Sequence, residues 1–215
     1  MKEHVLFVCA HNDDQIIGGG GTFAKYAEEG KHVTTVIFSY GEQSHPHLKR
    51  SVIVKTRINE AKASDNILGG KHLIFLGINE GKFTQEAQQK GIKEQLTELI
   101  LKDKPAKIFT HSNDDPHPDH QAVHKLMRAI TEELKLNNVY TFDIWNPLKV
   151  FKRNVPKLVV DITDTFDKKV KAYEAHESQV NLLGMIPFRF RIRIDAIING
   201  WTNHCKYAEV FHKLA

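Results

Sequence analysis

The sequence predicts an α/β fold in which a mostly parallel sheet is covered by helices on both faces. Two observations carry that expectation. Apolar runs of strand length alternate with longer helical patterns along the chain. No internal repeat, low-complexity segment or Pro- or Ser-rich linker interrupts the alternation, so residues 1–215 read as a single domain. With 215 residues, 41% of them hydrophobic and 26% charged, the chain can bury one large core.

Each element has its own signal. Residues 5–10 are an unbroken apolar run, a first buried strand. Gly18, Gly19, Gly20 and Gly21 then open a helix, with Phe23, Tyr26 and Ala27 at helical spacing and Gly30 as its stop. Residues 33–39, rich in β-branched side chains, predict a second strand. A polar stretch over 40–50 leads to a helix over 52–68, ended by Gly69 and Gly70. Residues 73–76, 107–110 and 139–145 predict strands, and 84–101 and 119–136 helices. The run 158–162 is the last strand of parallel type, followed by a helix over 163–176. Residues 187–194 alternate apolar residues with Arg189, Arg191 and Arg193, the period-two signature of a strand with a basic stripe.

Composition excludes several function classes. No apolar run approaches the ~20 residues of a membrane span. The first run is short for a signal-peptide core and meets His11, Asn12, Asp13 and Asp14 at once. Cys9 and Cys205 cannot make a disulfide framework. A cytoplasmic protein without membrane insertion is expected. A net charge of +4 and a pI near 8.9 suit an anionic small molecule but fall short of a nucleic-acid footprint. No aromatic residue is interleaved on the face of the arginine stripe to stack bases, so no nucleic-acid partner is expected. A homo-oligomer stays open.

Of the thirteen histidines, those that cluster carry the chemistry. His11, Asn12, Asp13 and Asp14 follow the first strand; residues 110–120, including His111, Asp114, Asp115, His117, Asp119 and His120, follow another. In open α/β sheets ligands bind at the carboxyl ends of strands, so two parallel strands bring both clusters to one edge. Imidazole and carboxylate together suit a divalent ion of zinc type, whose catalytic sites use three protein ligands and leave a position for water. His11, Asp14 and His120 make a two-His, one-carboxylate set; Asp13, beside a ligand, is left to act as a base; and His117 and Asp119 can form a His–carboxylate pair.

These two clusters resemble the signatures of the LmbE/PIG-L family of zinc-dependent N-deacetylases, which read Ala-His-Pro-Asp-Asp and His-Pro-Asp-His. The resemblance extends to residues 18–22, to Arg57 and Glu60 with Leu68 and Gly69, and to Phe75, Leu76 and Gly77. It continues through Lys171, Ala172, His176, Ser178 and Gln179, and ends at Ala208, Glu209, Val210 and Phe211. It implies a Rossmann-like domain that removes an N-acetyl group from an N-acetylglucosamine-type amino sugar or its conjugate. It further implies His11, Asp14 and His120 as ligands of Zn2+ (Fe2+ and Co2+ accept the same set), Asp13 as general base, and His117, paired with Asp119, stabilising the tetrahedral intermediate. Arg57 contacts substrate in this reading, with His176 near the site. The one departure is Asn12, where the family has proline; it removes a rigid φ but no ligand.

Plainer uses stand beside these. Asp13 and Asp14 can cap a helix; the glycines can cradle a phosphate, although no P-loop Lys-Ser/Thr follows them. Arg57 can pair with Glu60 on a solvated helix face, His176 can sit at a helix C-terminus, and His111 can be packing. The arginine stripe is a solvated sheet face, a wall in which Arg191 meets an anionic substrate group, or a subunit contact. Other functions compatible with the residues are a metal-dependent amidase for a thiol conjugate or other N-acyl compound, and a sugar- or nucleotide-binding module without catalysis.

Overall fold

Seven strands, β1 (His4–Cys9), β2 (His32–Ile37), β3 (His72–Phe75), β4 (Lys107–His111), β5 (Val139–Phe142), β6 (Lys157–Asp161) and β7 (Ala208–Lys213), form one sheet in the order β3-β2-β1-β4-β5-β7-β6. The structure is a computed structural model and describes residues 2–45, 47–146, 155–180 and 186–214, without the side chains of residues 180 and 186–188. The strands β1 to β5 pair in parallel. Strand β7 is antiparallel to both of its neighbours. The helices are α1 (Asp14–Glu28), α2 (Arg50–Leu68), α3 (Phe83–Gln89), α4 (Ile92–Asp103), α5 (Pro118–Glu133), α6 (Phe166–Glu174), α7 (Glu177–Val180) and α8 (Ile186–Thr202).

The first strand shows why the sheet is covered twice. Successive side chains of a strand point to opposite faces, and here both faces are core. Val5, Phe7 and Cys9 join one apolar cluster with residues of α1, α6 and α8. Leu6, Val8 and Ala10 join another with residues of α3, α4 and α5. The mostly parallel, doubly covered sheet expected from the sequence is present.

Three elements differ from expectation. The run 158–162, expected as a strand of parallel type, falls on β6, which among the described residues pairs antiparallel with β7 alone; the sequence pattern predicts no strand at β7. Residues 187–194 lie in α8, not in a strand. Alternation and helical spacing overlap there: Ile192 and Ala196, four residues apart, are the buried pair, at 4% and 2% exposure. The long helix expected over 84–101 is two, α3 and α4, separated at Gly91, whose φ of 60° is left-handed.

Helix α1 begins at Asp14, four residues before the glycines, and breaks at Gly19. The glycines serve close packing rather than a phosphate. A Cβ at Gly21 would lie 2.6 Å from the Ile162 side chain, and one at Gly18 would collide with the Phe142 ring. At the break, a buried ion pair supplies the missing helix partners. Glu209 on β7 accepts the backbone N–H groups of Gly21 and Thr22, at 3.0 and 2.7 Å. Lys169 on α6 donates to the Ile17 carbonyl at 3.0 Å and to Glu209. Anion at amides and cation at a carbonyl is the arrangement that helix ends favour.

Candidate active site

From β1 the chain builds outward through β2 and β3, then returns to β4 on the other side of β1. At such a reversal the loops leaving the two central strands part and open a crevice. The loops that follow β1 and β4 carry both histidine–carboxylate clusters.

The β1 loop is a tight turn. The His11 N–H donates to Asp14 Oδ2 at 2.7 Å, closing a four-residue turn. Asp13 occupies the N-cap of α1, yet its side chain makes no capping hydrogen bond. The Asp13 carbonyl receives the first helical amides, and its carboxylate faces the Arg57 guanidinium at 3.5 Å. Asn12, fully buried, replaces ring rigidity with hydrogen bonds: its Nδ2 donates to the Arg57 carbonyl at 2.9 Å, and its Oδ1 accepts from the Arg57 guanidinium. Arg57 itself is 2% exposed and lies 3.6 Å from Glu60 Oε2 and 3.4 Å from His176 Nδ1. Glu60 accepts from the backbone and hydroxyl of Ser178, so α2 and α7 brace the turn from behind.

The β4 loop is organised by one buried carboxylate, Asp115. Its Oδ2 accepts the amides of Ile144 and Trp145, at 2.7 and 3.0 Å, and its Oδ1 accepts the amide of His117 at 3.1 Å. The same Oδ1 lies 3.0 Å from His120 Nδ1. A carboxylate on one ring nitrogen turns the other, Nε2, toward the β1 loop.

There the two loops meet. His11 Nδ1 is 3.1 Å from His120 Nε2 and 3.5 Å from Asp14 Oδ2, while Asp14 Oδ1 is 3.4 Å from His120 Nε2. Ligands at zinc distances on a tetrahedron stand roughly 3.3 Å apart; the pair distances are of that size, with Asp14 presenting one oxygen to each of the two histidines. His111 and His117 border the same point: ligand atoms of His11, His117 and His120, and of Asp14, His111 and His120, fall within 4.8 Å of one another.

Electrostatics favour positive charge at that point. Burial opposes protonation of His120, but the Asp14 and Asp115 carboxylates outweigh it and hold the ring up at about 9. His11 is likewise raised: burial opposes the shift, and Asp119 and Asp14 win. Burial raises Asp14, yet the His120 and His111 rings drive it well below the usual carboxylate range. Burial and the neighbouring His120 push His111 down to about 4. His117 is lowered by burial and then by His120 and His11. A cluster that holds protons this way offers the same charge stabilisation to a divalent ion.

A cavity of about 390 Å³ opens over the cluster. Polar side chains of Gln43, Ser44, Glu80 and Gln179 line it together with Arg57, and Ile17, Ile144 and Trp145 form an apolar side. A search against family models matches residues 6–131 to PIG-L, described as GlcNAc-PI de-N-acetylase. The chain belongs to the PIG-L family. A Bacillus cereus relative of the PIG-L chain, named probable N-acetyl-alpha-D-glucosaminyl L-malate deacetylase 2, is 26% identical over 195 residues, covering 85% of this chain and 86% of that one. A Pseudomonas putida relative named 4-oxalmesaconate hydratase is 27% identical over 201 residues, covering 84% and 76%. Among solved structures, N,N'-diacetylchitobiose deacetylase from Pyrococcus horikoshii shares the fold, with a TM-score of 0.80 at 24% identity over 98% of this chain and 83% of that one.

Within this PIG-L fold the expected residues are placed unevenly. His11, Asp13, Asp14, His117, Asp119 and Arg57 line the cavity, and His120 lies directly beneath. The Asp119 carboxylate does not meet the His117 ring: it accepts the Gly81 amide at 3.1 Å and stands 3.4 Å from His11 Nε2. The link between those two residues runs the other way, with the Asp119 amide donating to His117 Nδ1 at 3.2 Å. Proline at the first helical position leaves His117 as the N-cap of α5, and its ring takes the cap. His176 is not a cavity residue. It is buried behind Arg57, hydrogen-bonds Ser64, and is pushed down to about 4 by burial and then by Arg57, so it braces the guanidinium as a neutral ring. Arg191 also lies elsewhere. It donates to the carbonyls of Ile144 and Asn146 and pairs with Asp195, clamping the end of the β5 segment.

Three site residues were not singled out from the sequence. Asp115 stands within the second cluster, and a carboxylate five residues before His120 was the available signal. Glu80 follows β3 at the same sheet edge; its Oε1 is 3.9 Å from His11 Nε2, and burial raises its carboxyl. Trp145 sits on the cavity wall at 41% exposure, with no motif around it.

Proposed function

We propose that the chain is a metal-dependent hydrolase that removes the N-acetyl group from an N-acetylglucosamine-type amino sugar or its conjugate. The observation that carries the reading is the convergence of His11, Asp14 and His120 within 3.5 Å of one another beside Asp13, in a cavity of about 390 Å³. Those three residues are the proposed ligands of Zn2+, with Fe2+ and Co2+ acceptable to the same donors. When bound, such a cation acidifies water and polarises an amide carbonyl.

The chain's own groups supply the remaining work. Asp13, which caps nothing with its side chain, accepts the proton of the attacking water. Arg57, held by Asn12, His176 and Glu60, keeps that carboxylate aimed at the cavity. His117, at the cavity rim, offers a hydrogen bond to the carbonyl oxygen as charge develops on it, and Asp13 returns the proton taken from water to the departing nitrogen. Asp119 aligns His11, and Asp115 aligns His120. Gln43, Ser44, Glu80 and Gln179 offer donors and acceptors for sugar hydroxyls.

Free amine is expected from a panel of N-acetylglucosamine conjugates, and removal of metal by a chelator abolishes it. Asp13→Asn should keep its metal and lose roughly 10²–10⁴-fold in turnover. No amine from any conjugate by the metal-loaded protein overturns the reading, and hydration of 4-oxalmesaconate by the same sample replaces it with the hydratase.

A further inference from the structure

Helix α8 buries one face and leaves another bare. Ile192 and Ala196 enter the core, and Gly200 packs so closely that a Cβ there would lie 2.6 Å from the Lys206 carbonyl oxygen. On the opposite side Phe190, Ile194, Ile197, Ile198 and Trp201 are 62%, 53%, 50%, 53% and 81% exposed. At 100° per residue these five fall on one stripe little more than a quarter of the helix circumference wide. Five large apolar side chains on one exposed stripe are a surface made to be covered.

The spacing names the occupant. Positions 190, 194, 197 and 201 are separated by four, three and four residues, the seam of a two-stranded coiled coil. That set is the same read from either end, about a midpoint between residues 195 and 196. A two-fold axis through the midpoint brings Phe190 of one copy against Trp201 of the other, and Ile194 against Ile197, so the stripe is complementary to itself, as an isologous interface requires. Each copy offers about 500 Å² of apolar side chain, from about half of the 150–250 Å² that a large side chain can bury. That is most of the ~800 Å² per partner of a stable interface.

The arginines argue against a lipid surface. An interfacial helix needs free cations beside its apolar stripe. Here Arg189 pairs with Glu174, Arg191 grips the carbonyls of Ile144 and Asn146, and Arg193 lies over the Phe166 ring. All three are engaged by the body of their own chain.

We infer that α8 is the contact helix of a homodimer, two copies packing antiparallel along Phe190, Ile194, Ile197 and Trp201. The dimer is the minimal unit, and a larger assembly contains it as its two-fold contact. None of the four residues belongs to the candidate active site, so the contact and the activity are separable.

The test measures the mass of the full, metal-loaded chain by light scattering and sedimentation. The wild type is expected at an even multiple of 24.6 kDa. Ile194→Glu with Ile197→Glu should at least halve that mass, with circular dichroism and bound metal unchanged. A second arm mixes Ile194→Cys protein with Ile197→Cys protein under mild oxidation; the mixed pair should cross-link several-fold faster than either variant alone. A monomeric wild type, an assembly unaffected by the double substitution, or no preference for the mixed pair overturns the proposal. A monomer that cosediments with phosphatidylserine vesicles, and loses that with the double substitution, overturns it in favour of a membrane.

Discussion

The two loops that build the site are stiffened by different means. The β1 loop is short, and charge braces it: Asn12 and Asp13 lean on Arg57, which is in turn enclosed by Glu60 and His176. The β4 loop is longer and hangs on one carboxylate, Asp115, that collects three backbone amides and faces the His120 ring. The first arrangement holds the proposed base; the second orients a proposed metal ligand. Loss of a brace in the first should therefore appear as lost stability, and in the second as lost metal affinity.

Arg57→Ala gives the largest expected effect. It leaves Asp13 and Glu60 buried without their cation, and removing one partner of a buried pair costs roughly 3–5 kcal/mol. Denaturant unfolding of the metal-free protein measures it; a loss below 1 kcal/mol, by the same scale, would mean that charge does not brace this loop. Asp115→Asn should weaken metal binding by roughly 10–100-fold, the usual cost of losing a partner behind a histidine ligand. Competition against a chromophoric chelator reads that value. Equal metal affinities for Asp115→Asn and wild type would erase the distinction between the loops.

The smallest effect concerns Asp65, on the helix that braces the β1 loop. Burial raises its carboxyl from the usual range to about 6, against the hydrogen bond from Thr35. The folded state thus binds the proton more tightly than the unfolded one. Stability is favoured while the group is protonated and declines as pH rises from about 4 to about 6, the reverse of an ordinary paired aspartate. Asp65→Asn should flatten the decline and add on the order of 1–2 kcal/mol at neutral pH. Unfolding curves at pH 4 and 7 for both proteins check the sign.

The parts legible in the sequence were those where one signal had one meaning. The double-faced core of β1 announces itself as an unbroken apolar run, and the histidine–aspartate clusters sit where the topology then places them. Elements of double meaning were not legible. Residues 187–194 satisfy period two, yet helical spacing decided, because Ile192 and Ala196 had a core to enter. Arg57 and His176 stand in separate family segments, and which of them meets the cavity depends on α2 and α6 packing together, which no spacing encodes. Arg191 carried the chemistry of anion binding and was spent on backbone carbonyls forty-five or more residues away. Asp115 was hidden by company, one carboxylate among several in a cluster.

The break in α1 has a consequence for the order in which the protein becomes competent. Every proposed metal ligand, and the base, lies within the first 120 residues. The turn that presents them continues into a helix whose interruption at Gly19 is filled by Lys169 and Glu209. A chain emerging from the ribosome therefore carries the full set of reactive groups long before β7 arrives to seat them. Until that strand docks, amides and a carbonyl near the turn lack their charged partners, and the reactive groups wait on the last piece of the sheet to be made.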